Sequence, residues 1–137
     1  MAHWLFKSEP AAFSFERLER CGAEGTDWSG VRNHSAKLNM QAMKVGEEGF
    51  FYHSNEGKAI VGIVEVAKAY RLDPTDPSGK FGMVDIRAVR PLPRPVTLDE
   101  VKAEKRLASM ALVTNSRLSV QPVTAAEWAL VCRLGGL

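Results

Sequence analysis

The most informative stretch of the chain is FFYHSNEGKAIVGIVEVAKAY, residues Phe50 to Tyr70, because it predicts two neighbouring strands joined by a tight turn. Phe50 to Ser54 is aromatic, and Ala59 to Tyr70 is rich in valine and isoleucine, as β-strands are. The intervening Asn55-Glu56-Gly57 is a turn signal of the kind found in hairpins. We therefore predict an antiparallel hairpin.

The flanking segments predict further strands with helices packed around them. A third strand, Phe81 to Val89, follows a loop at Arg71 to Lys80, and prolines 91, 93 and 95 should end it. Shorter strands are predicted at His3 to Lys7 and Arg117 to Gln121, with short helices at Phe15 to Arg20 and His34 to Met43. Capping boxes at Thr97 and Thr124 predict two more helices. Three consecutive strands favour an antiparallel sheet or barrel surrounded by helices, an α+β arrangement of five to six strands.

Length and composition indicate one soluble globular domain spanning residues 1–137. The net charge is +2, so a nucleic-acid partner would have to be held locally, with few phosphate contacts. The N-terminus lacks the features of a signal peptide, and no apolar run is long enough to span a membrane. Cys21 and Cys132 stand far apart and outside any metal-binding spacing. We expect a reduced, cytoplasmic monomer that has no membrane contact.

Motifs of catalysis and cofactor binding are absent. The three histidines lack ligand spacing, and the chain has no Walker loop, dinucleotide fingerprint or nucleophile elbow. His53 and Ser54 are adjacent on a predicted strand, so their side chains should point to opposite faces. We expect a protein that is not an enzyme and needs no metal or cofactor.

Polar residues lie at the ends of structured apolar segments, where a base-binding pocket could form. They occur in Lys7-Ser8-Glu9, Trp28-Ser29-Gly30-Val31-Arg32-Asn33, Tyr52-His53-Ser54-Asn55 and Ser116-Arg117-Leu118-Ser119. An aromatic face stacks on a base, short polar groups recognise its edge, and basic side chains hold phosphate. The same residues also fit a plainer interpretation, in which Trp28 fills the core and Arg32 and Arg117 pair with Glu9 or Asp27 at the surface.

Six segments together resemble the EVE domain, a PUA-like family. They are Trp4 to Pro10, Trp28 to Asn33, Phe50 to Asn55, Ile60 to Val66, Met83 to Asp85 and Ser116 to Thr124. They occur in the family's order and span essentially the whole chain. The resemblance implies a curved, barrel-like mixed sheet with surrounding helices. It also implies kinship with YTH domains, which bind N6-methyladenosine in RNA through an aromatic cage.

On this resemblance the chain would bind a flipped-out, modified base of DNA or RNA. The residues expected in or near the base-binding pocket are Lys7, Ser8, Trp28, Tyr52, Ser54, Asn55 and Phe81. Those expected at its rim, near phosphate, are Arg32, Asn33, Arg117 and Ser119.

The chain departs from the family pattern before Val84-Asp85. Many members have a tryptophan there, whereas the nearest aromatic residue here is Phe81. A smaller ring stacks over less area, so we expect a more open cage. Two other functions use the same residues: binding or turnover of a nucleoside or other small molecule, and an interaction module with a vestigial pocket.

Overall fold

The computed structural model describes all residues, Met1–Leu137, as one mixed sheet with helices on both faces. Its strands are β1 His3–Ser8, β2 Thr26–Asp27, β3 Glu48–His53, β4 Ala59–Leu72, β5 Gly82–Thr97 and β6 Val120–Val123. Its α-helices are α1 Phe15–Arg20, α2 His34–Ala42, α3 Leu98–Ala103, α4 Ala111–Thr114 and α5 Ala125–Leu134. Short 3-10 helices form at Gly22–Glu24 and Lys105–Leu107.

The six strands lie in the order β2-β5-β4-β3-β1-β6. The hairpin predicted from Phe50 to Tyr70 is present as β3 and β4, and β5 continues the antiparallel meander. β1 pairs with β3 in parallel, which makes the sheet mixed. The α+β class is as predicted. The sheet is not closed into a barrel, because β2 and β6 are edge strands that are each paired on one side only. No pairing joins β2 to β6, which contain only two and four residues, so the two edges of the sheet stay open.

Side chains alternate between two apolar cores because successive residues of a strand face opposite ways. Phe6 and Phe51 point into the core covered by α1 and α2. Their neighbours Leu5 and Phe50 point into the core covered by α3, α4 and α5. The face of the sheet on which a β1 or β3 side chain lies therefore decides which of the two cores, and which of the two surfaces, it can contact.

Local capping signals set the helix starts as the sequence predicted. Ser14 caps α1 and Asn33 caps α2, each accepting from a backbone N–H of the first turn. Thr97 and Thr124 form complete capping boxes with glutamates three residues on. A Thr or Ser cap stabilises a helix by about 1 kcal/mol.

The strands depart from the prediction in three main ways, besides shifts of one or two residues at other ends. β5 continues through the prolines as far as Thr97, because its pairing with β4 jumps from Gly62↔Pro91 to Ile60↔Val96. The residues between face no partner in register, and proline is tolerated at such irregularities. β2 occupies part of the predicted Gly22–Ser29 loop, and the last strand begins three residues later than expected, at Val120.

Candidate functional site

A cleft of about 270 Å³ opens beside Trp28. It is lined by Ser8, Phe13, Thr26, Asp27, Trp28 and Ser29. Of the predicted pocket residues, the structure brings Ser8 and Trp28 together here. Two aromatic rings and four short polar residues give the cleft an apolar wall and several hydrogen-bonding groups.

The Trp28 ring is half-buried and held in one orientation by other aromatic rings. Phe6, Phe13 and Phe51 approach it edge-on, with centroid distances of 5.7, 6.2 and 5.8 Å. The backbone N–H of Trp28 also donates to Val84 O at 2.8 Å. The residue therefore does both things expected of it, since it packs against the core and also lines an open cleft.

Ser8 is fixed at the other side of the cleft by the end of β1. Its hydroxyl donates to the carbonyl of Phe13 at 2.7 Å, which leaves the oxygen's lone pairs free to accept. Its own carbonyl accepts from the N–H of Ser54 at 2.9 Å. Ser54 thus supports the cleft through its backbone, although its side chain is not among the lining groups.

Phe13 forms a wall of the cleft that the sequence did not single out. The Arg17 guanidinium lies 5.2 Å from the centroid of the Phe13 ring and donates to Ala12 O at 2.8 Å. The N–H of Phe15 donates to Nε2 of His53 at 3.1 Å, which ties the start of α1 to the end of β3. Burial lowers the pKa of His53, opposed by the charge of Glu16. The exposed Arg17 thus lies next to Phe13, although it is not among the residues that line the cleft.

Asp73 fastens the β4–β5 loop to the segment that follows Trp28. Its buried carboxylate accepts from the N–H of Gly30 at 2.8 Å and pairs with Arg32 at 3.2 Å. Burial favours the neutral acid, but hydrogen bonds from Thr75, Gly30 and Arg32 outweigh it and hold the pKa of Asp73 well below its usual range. Arg32 therefore pairs with Asp73 and not with Glu9 or Asp27.

Phe81 lies apart from the cleft, against the start of α2. Its ring is 5.2 Å from the ring of His34, 6.0 Å from the Arg32 guanidinium and 5.8 Å from the Lys37 ammonium. The structure thus gathers Phe81 and Arg32, but next to helix α2 and not beside Trp28. Phe81 is not among the residues that line the Trp28 cleft, so the prediction that it forms part of a base cage there stays untested.

Lys7 and Tyr52 lie on the opposite face of the sheet from the cleft. They are register partners in β1 and β3, and Tyr52 belongs to the core under α5. The Lys7 ammonium lies 5.6 Å from the Tyr52 ring centroid and donates to Ser116 O. Burial lowers the pKa of Lys7 and raises that of Tyr52. Strand alternation separates both side chains from Trp28.

The remaining predicted residues are dispersed. Asn55 lines another hollow, of about 320 Å³, beside the start of α3. The side chain of Asn33 accepts from the N–H of Ala36 as the N-cap of α2. The backbone carbonyl of Ser119 accepts from the N–H of Lys7. Arg117 is exposed and takes part in no ion pair.

A second, larger cleft of about 480 Å³ shares Thr26 and Asp27 with the first, so β2 divides them. Three of its charged residues are in ion pairs: Arg87 with Glu65 outside the cleft, and Lys68 with Asp85, which also pairs with Arg71. Glu24 and Asp27 also line it and are in no ion pair. No group of three or more metal-ligand side chains is close enough together to hold an ion. None of the helices combines the length and apolar character that crossing a membrane requires.

Comparison with known proteins gives concordant matches over the whole chain. A model of the EVE domain family matches residues 2–134. Human thymocyte nuclear protein 1 is 37% identical over 165 residues, which cover 97% of this chain and 73% of that protein.

Solved structures superpose closely. A protein of Rhodopseudomonas palustris is 61% identical with a TM-score of 0.94, covering 99% of this chain and 94% of that one. Human THYN1 in complex with DNA containing 5-methylcytosine is 36% identical, with a TM-score of 0.91 over 100% of this chain and 99% of that one. A YTH domain from Zygosaccharomyces rouxii is 20% identical and shares the fold alone, with a TM-score of 0.58 over 99% and 87% of the chains. The EVE family and the PUA-like fold expected from the sequence are confirmed, and the likeness to YTH domains is confirmed as a likeness of fold.

Proposed function

The chain belongs to the EVE domain family, and we propose that it binds nucleic acid and holds one flipped-out, modified base in the cleft beside Trp28. The observation that carries this proposal is the indole itself, half-buried and oriented by three rings, with an open hollow next to it. An indole ring that is already held in one orientation loses little conformational freedom when a base stacks on it.

The size of the cleft suits a single base. Pockets for drug-sized ligands begin at about 300 Å³, and this cleft measures about 270 Å³. Stacking on an aromatic side chain contributes about 1–3 kcal/mol per base. Thr26, Asp27 and Ser29 supply groups that can bond to the edge of the base.

The human relative bound to DNA containing 5-methylcytosine supports a methylated base as the target. A buried methyl group gains about 0.8 kcal/mol, which corresponds to about a fourfold preference. A larger preference would require a polar group that is left unpaired by the unmodified base. We therefore propose modest discrimination, with DNA and RNA both as candidate partners.

Phosphate contacts in this proposal come from Arg17 beside Phe13, Arg32 near Gly30 and the exposed Arg117. Few contacts are consistent with a net charge of +2. The residues lining the cleft include no histidine, lysine or cysteine, and Asp27 is their one ionisable side chain. We therefore propose binding without catalysis. The monomeric state and the cytoplasmic location expected from the sequence stay predictions.

The test is fluorescence anisotropy with otherwise identical oligonucleotides that carry 5-methylcytosine or cytosine. Trp28→Ala should weaken binding of the methylated strand by about 1–3 kcal/mol. Trp128→Ala is the matched control, because Trp128 is also half-buried but stacks on Phe50 at 4.1 Å in the other core. A second variant, Ser29→Trp, fills the cleft from an exposed position and leaves the packed rings in place.

Equal binding by folded Trp28→Ala and by Ser29→Trp would overturn the proposal. Free 5-methyldeoxycytidine provides the remaining comparison. If it bound as tightly as the oligonucleotide, with no dependence on salt, the pocket would belong to a small-molecule binder instead.

A further inference from the structure

The cluster of Arg32, His34, Lys37 and Phe81, called here the Phe81 platform, lies outside the Trp28 cleft. Phe81 and Lys37 are half-buried, whereas Arg32 and His34 are exposed. The Arg32 guanidinium and the Lys37 ammonium both lie within 6.0 Å of the Phe81 ring centroid. An aromatic ring attracts cations to its face and so restricts where their charges can lie.

Arg32 keeps two donors free although it is well anchored. A guanidinium has five N–H donors. Three bonds are made: Nη1 donates to Val31 O and Asp73 Oδ2, and Nη2 donates to Thr75 Oγ1. The remaining N–H groups are on Nε and Nη2, on the edge that binds a phosphate or carboxylate in bidentate fashion. With 39% of the side chain exposed, this edge is reachable.

Lys37 adds a charge that nothing neutralises. It takes part in no ion pair, and the first turn of α2 contains no acidic residue. Asp73 is the one carboxylate paired with the platform, and it balances Arg32. A second carboxylate, Asp76, accepts from the backbone N–H of Phe81 and is in no ion pair with Lys37. The platform therefore offers donors on two neighbouring side chains, and the Lys37 ammonium has no ion-pair partner.

The platform is joined rigidly to the base-binding segment. The same Asp73 oxygen, Oδ2, binds both the N–H of Gly30 and the guanidinium of Arg32. Arg32 comes four positions after Trp28, a span of at most about 14 Å along the chain. A nucleic-acid strand whose base enters the Trp28 cleft must therefore either continue past the Phe81 platform or run away from it.

We propose that the Phe81 platform binds a backbone phosphate of the strand that carries the flipped-out base, with Arg32 and Lys37 as ligands and Phe81 as their positioning residue. The inference rests on the proposed function and extends it, because it moves Phe81 from the base cage to the phosphate contact. Phosphate fits better than a base here, since the ring already holds two cations.

The experiment measures affinity for the methylated and unmethylated oligonucleotides over a salt series. Lys37→Gln should weaken both complexes equally, by about two- to fivefold, the range of an exposed charge pair. It should also reduce the slope of log K against log salt by about 1. Phe81→Leu keeps an apolar side chain but removes the ring, and it should lower the same slope without changing the methyl preference. Lys44→Gln, at an exposed lysine beyond α2, is the control and should change neither quantity.

The outcomes separate the two proposals. Normal binding by the wild type, with slopes in Lys37→Gln and Phe81→Leu equal to that of Lys44→Gln, overturns the platform and leaves the Trp28 cleft intact. Loss of methyl preference in Phe81→Leu also overturns it and returns Phe81 to the base cage. Tighter binding of an oligoglutamate peptide than of the oligonucleotide, lost in Lys37→Gln, reassigns the surface to an acidic protein. Failure of the wild type to bind any oligonucleotide removes both proposals.

Discussion

Replacing Asp73 by asparagine should destabilise the fold by about 2–4 kcal/mol. The carboxylate accepts four hydrogen bonds, from Gly30 N, Arg32 Nη1, Thr75 N and Thr75 Oγ1. The amide oxygen of asparagine can still accept from Thr75, but its NH₂ group then faces the Gly30 N–H. A lost bond to a charged group is worth about 1.5–3 kcal/mol. The pair with the partly exposed Arg32 adds at most about 1 kcal/mol.

Equilibrium unfolding in urea measures this loss, with Asp99→Asn at an exposed position of α3 as the control. For a domain of this size each kcal/mol corresponds to a fall of about 3–5 °C in Tm, so the expected fall is about 6–20 °C. The double variant with Arg32→Gln should lose less than the sum of the single losses, because the two residues share one contact. A loss in Asp73→Asn no larger than that in Asp99→Asn would refute the reasoning.

The same residue predicts how the loss varies with pH. Hydrogen bonds hold the folded pKa of Asp73 well below its usual range, so the folded pKa lies below the unfolded one. The stability contributed is complete above the unfolded value of about 3.9 and is lost as the pH falls towards the folded pKa. The difference between the wild type and Asp73→Asn should therefore be constant near neutral pH and shrink below about pH 4.

Two further predictions concern residues that hold the segments next to the Trp28 cleft. Burial lowers the pKa of His53, whose Nε2 accepts from Phe15, so stability should fall as the pH drops through about 6.5, by at most about 1.4 kcal/mol per pH unit. His53→Gln should reduce this dependence in a series of melting temperatures, and an unchanged slope would contradict the assignment. Gly25→Ala should destabilise the fold by more than about 2 kcal/mol relative to Gly57→Ala. Steric overlap in a packed interior generally costs about 1–3 kcal/mol, and occasionally more. Both glycines have positive φ, but a Cβ at Gly25 would lie 2.0 Å from Ile86 O and one at Gly57 would meet nothing within 4 Å, so equal losses in urea unfolding would refute the clash.

Much of the fold was predictable because its signals are local. The helix caps at Thr97 and Thr124 need only residues three positions away, and both boxes form. The extension of β5 past Pro91 was not predictable in this way. It depends on where β4 stops pairing in register, which is a property of two segments far apart in sequence.

The candidate site was predictable only in part. Ser8 and Trp28 do meet, whereas Lys7 and Tyr52 share the other face of the sheet. The alternation of side chains along β1 already implied that Lys7 and Ser8 diverge. Phe13 had no comparable signal, because its place beside Trp28 depends on how the segment before α1 folds back over the sheet.

From its sequence alone this protein is an α+β chain of the EVE family, with a paired β3 and β4, capped helices and an aromatic residue flanked by short polar ones. These properties follow from residue type and short spacing, which act through backbone conformation and nearest-neighbour hydrogen bonds. Only the tertiary structure decided that Trp28 borders an open cleft, that Asp73 ties Gly30 to Arg32, and that Phe81 lies with cations beside α2. Such contacts join residues distant along the chain, and their geometry is settled by packing the helices onto the two faces of the sheet.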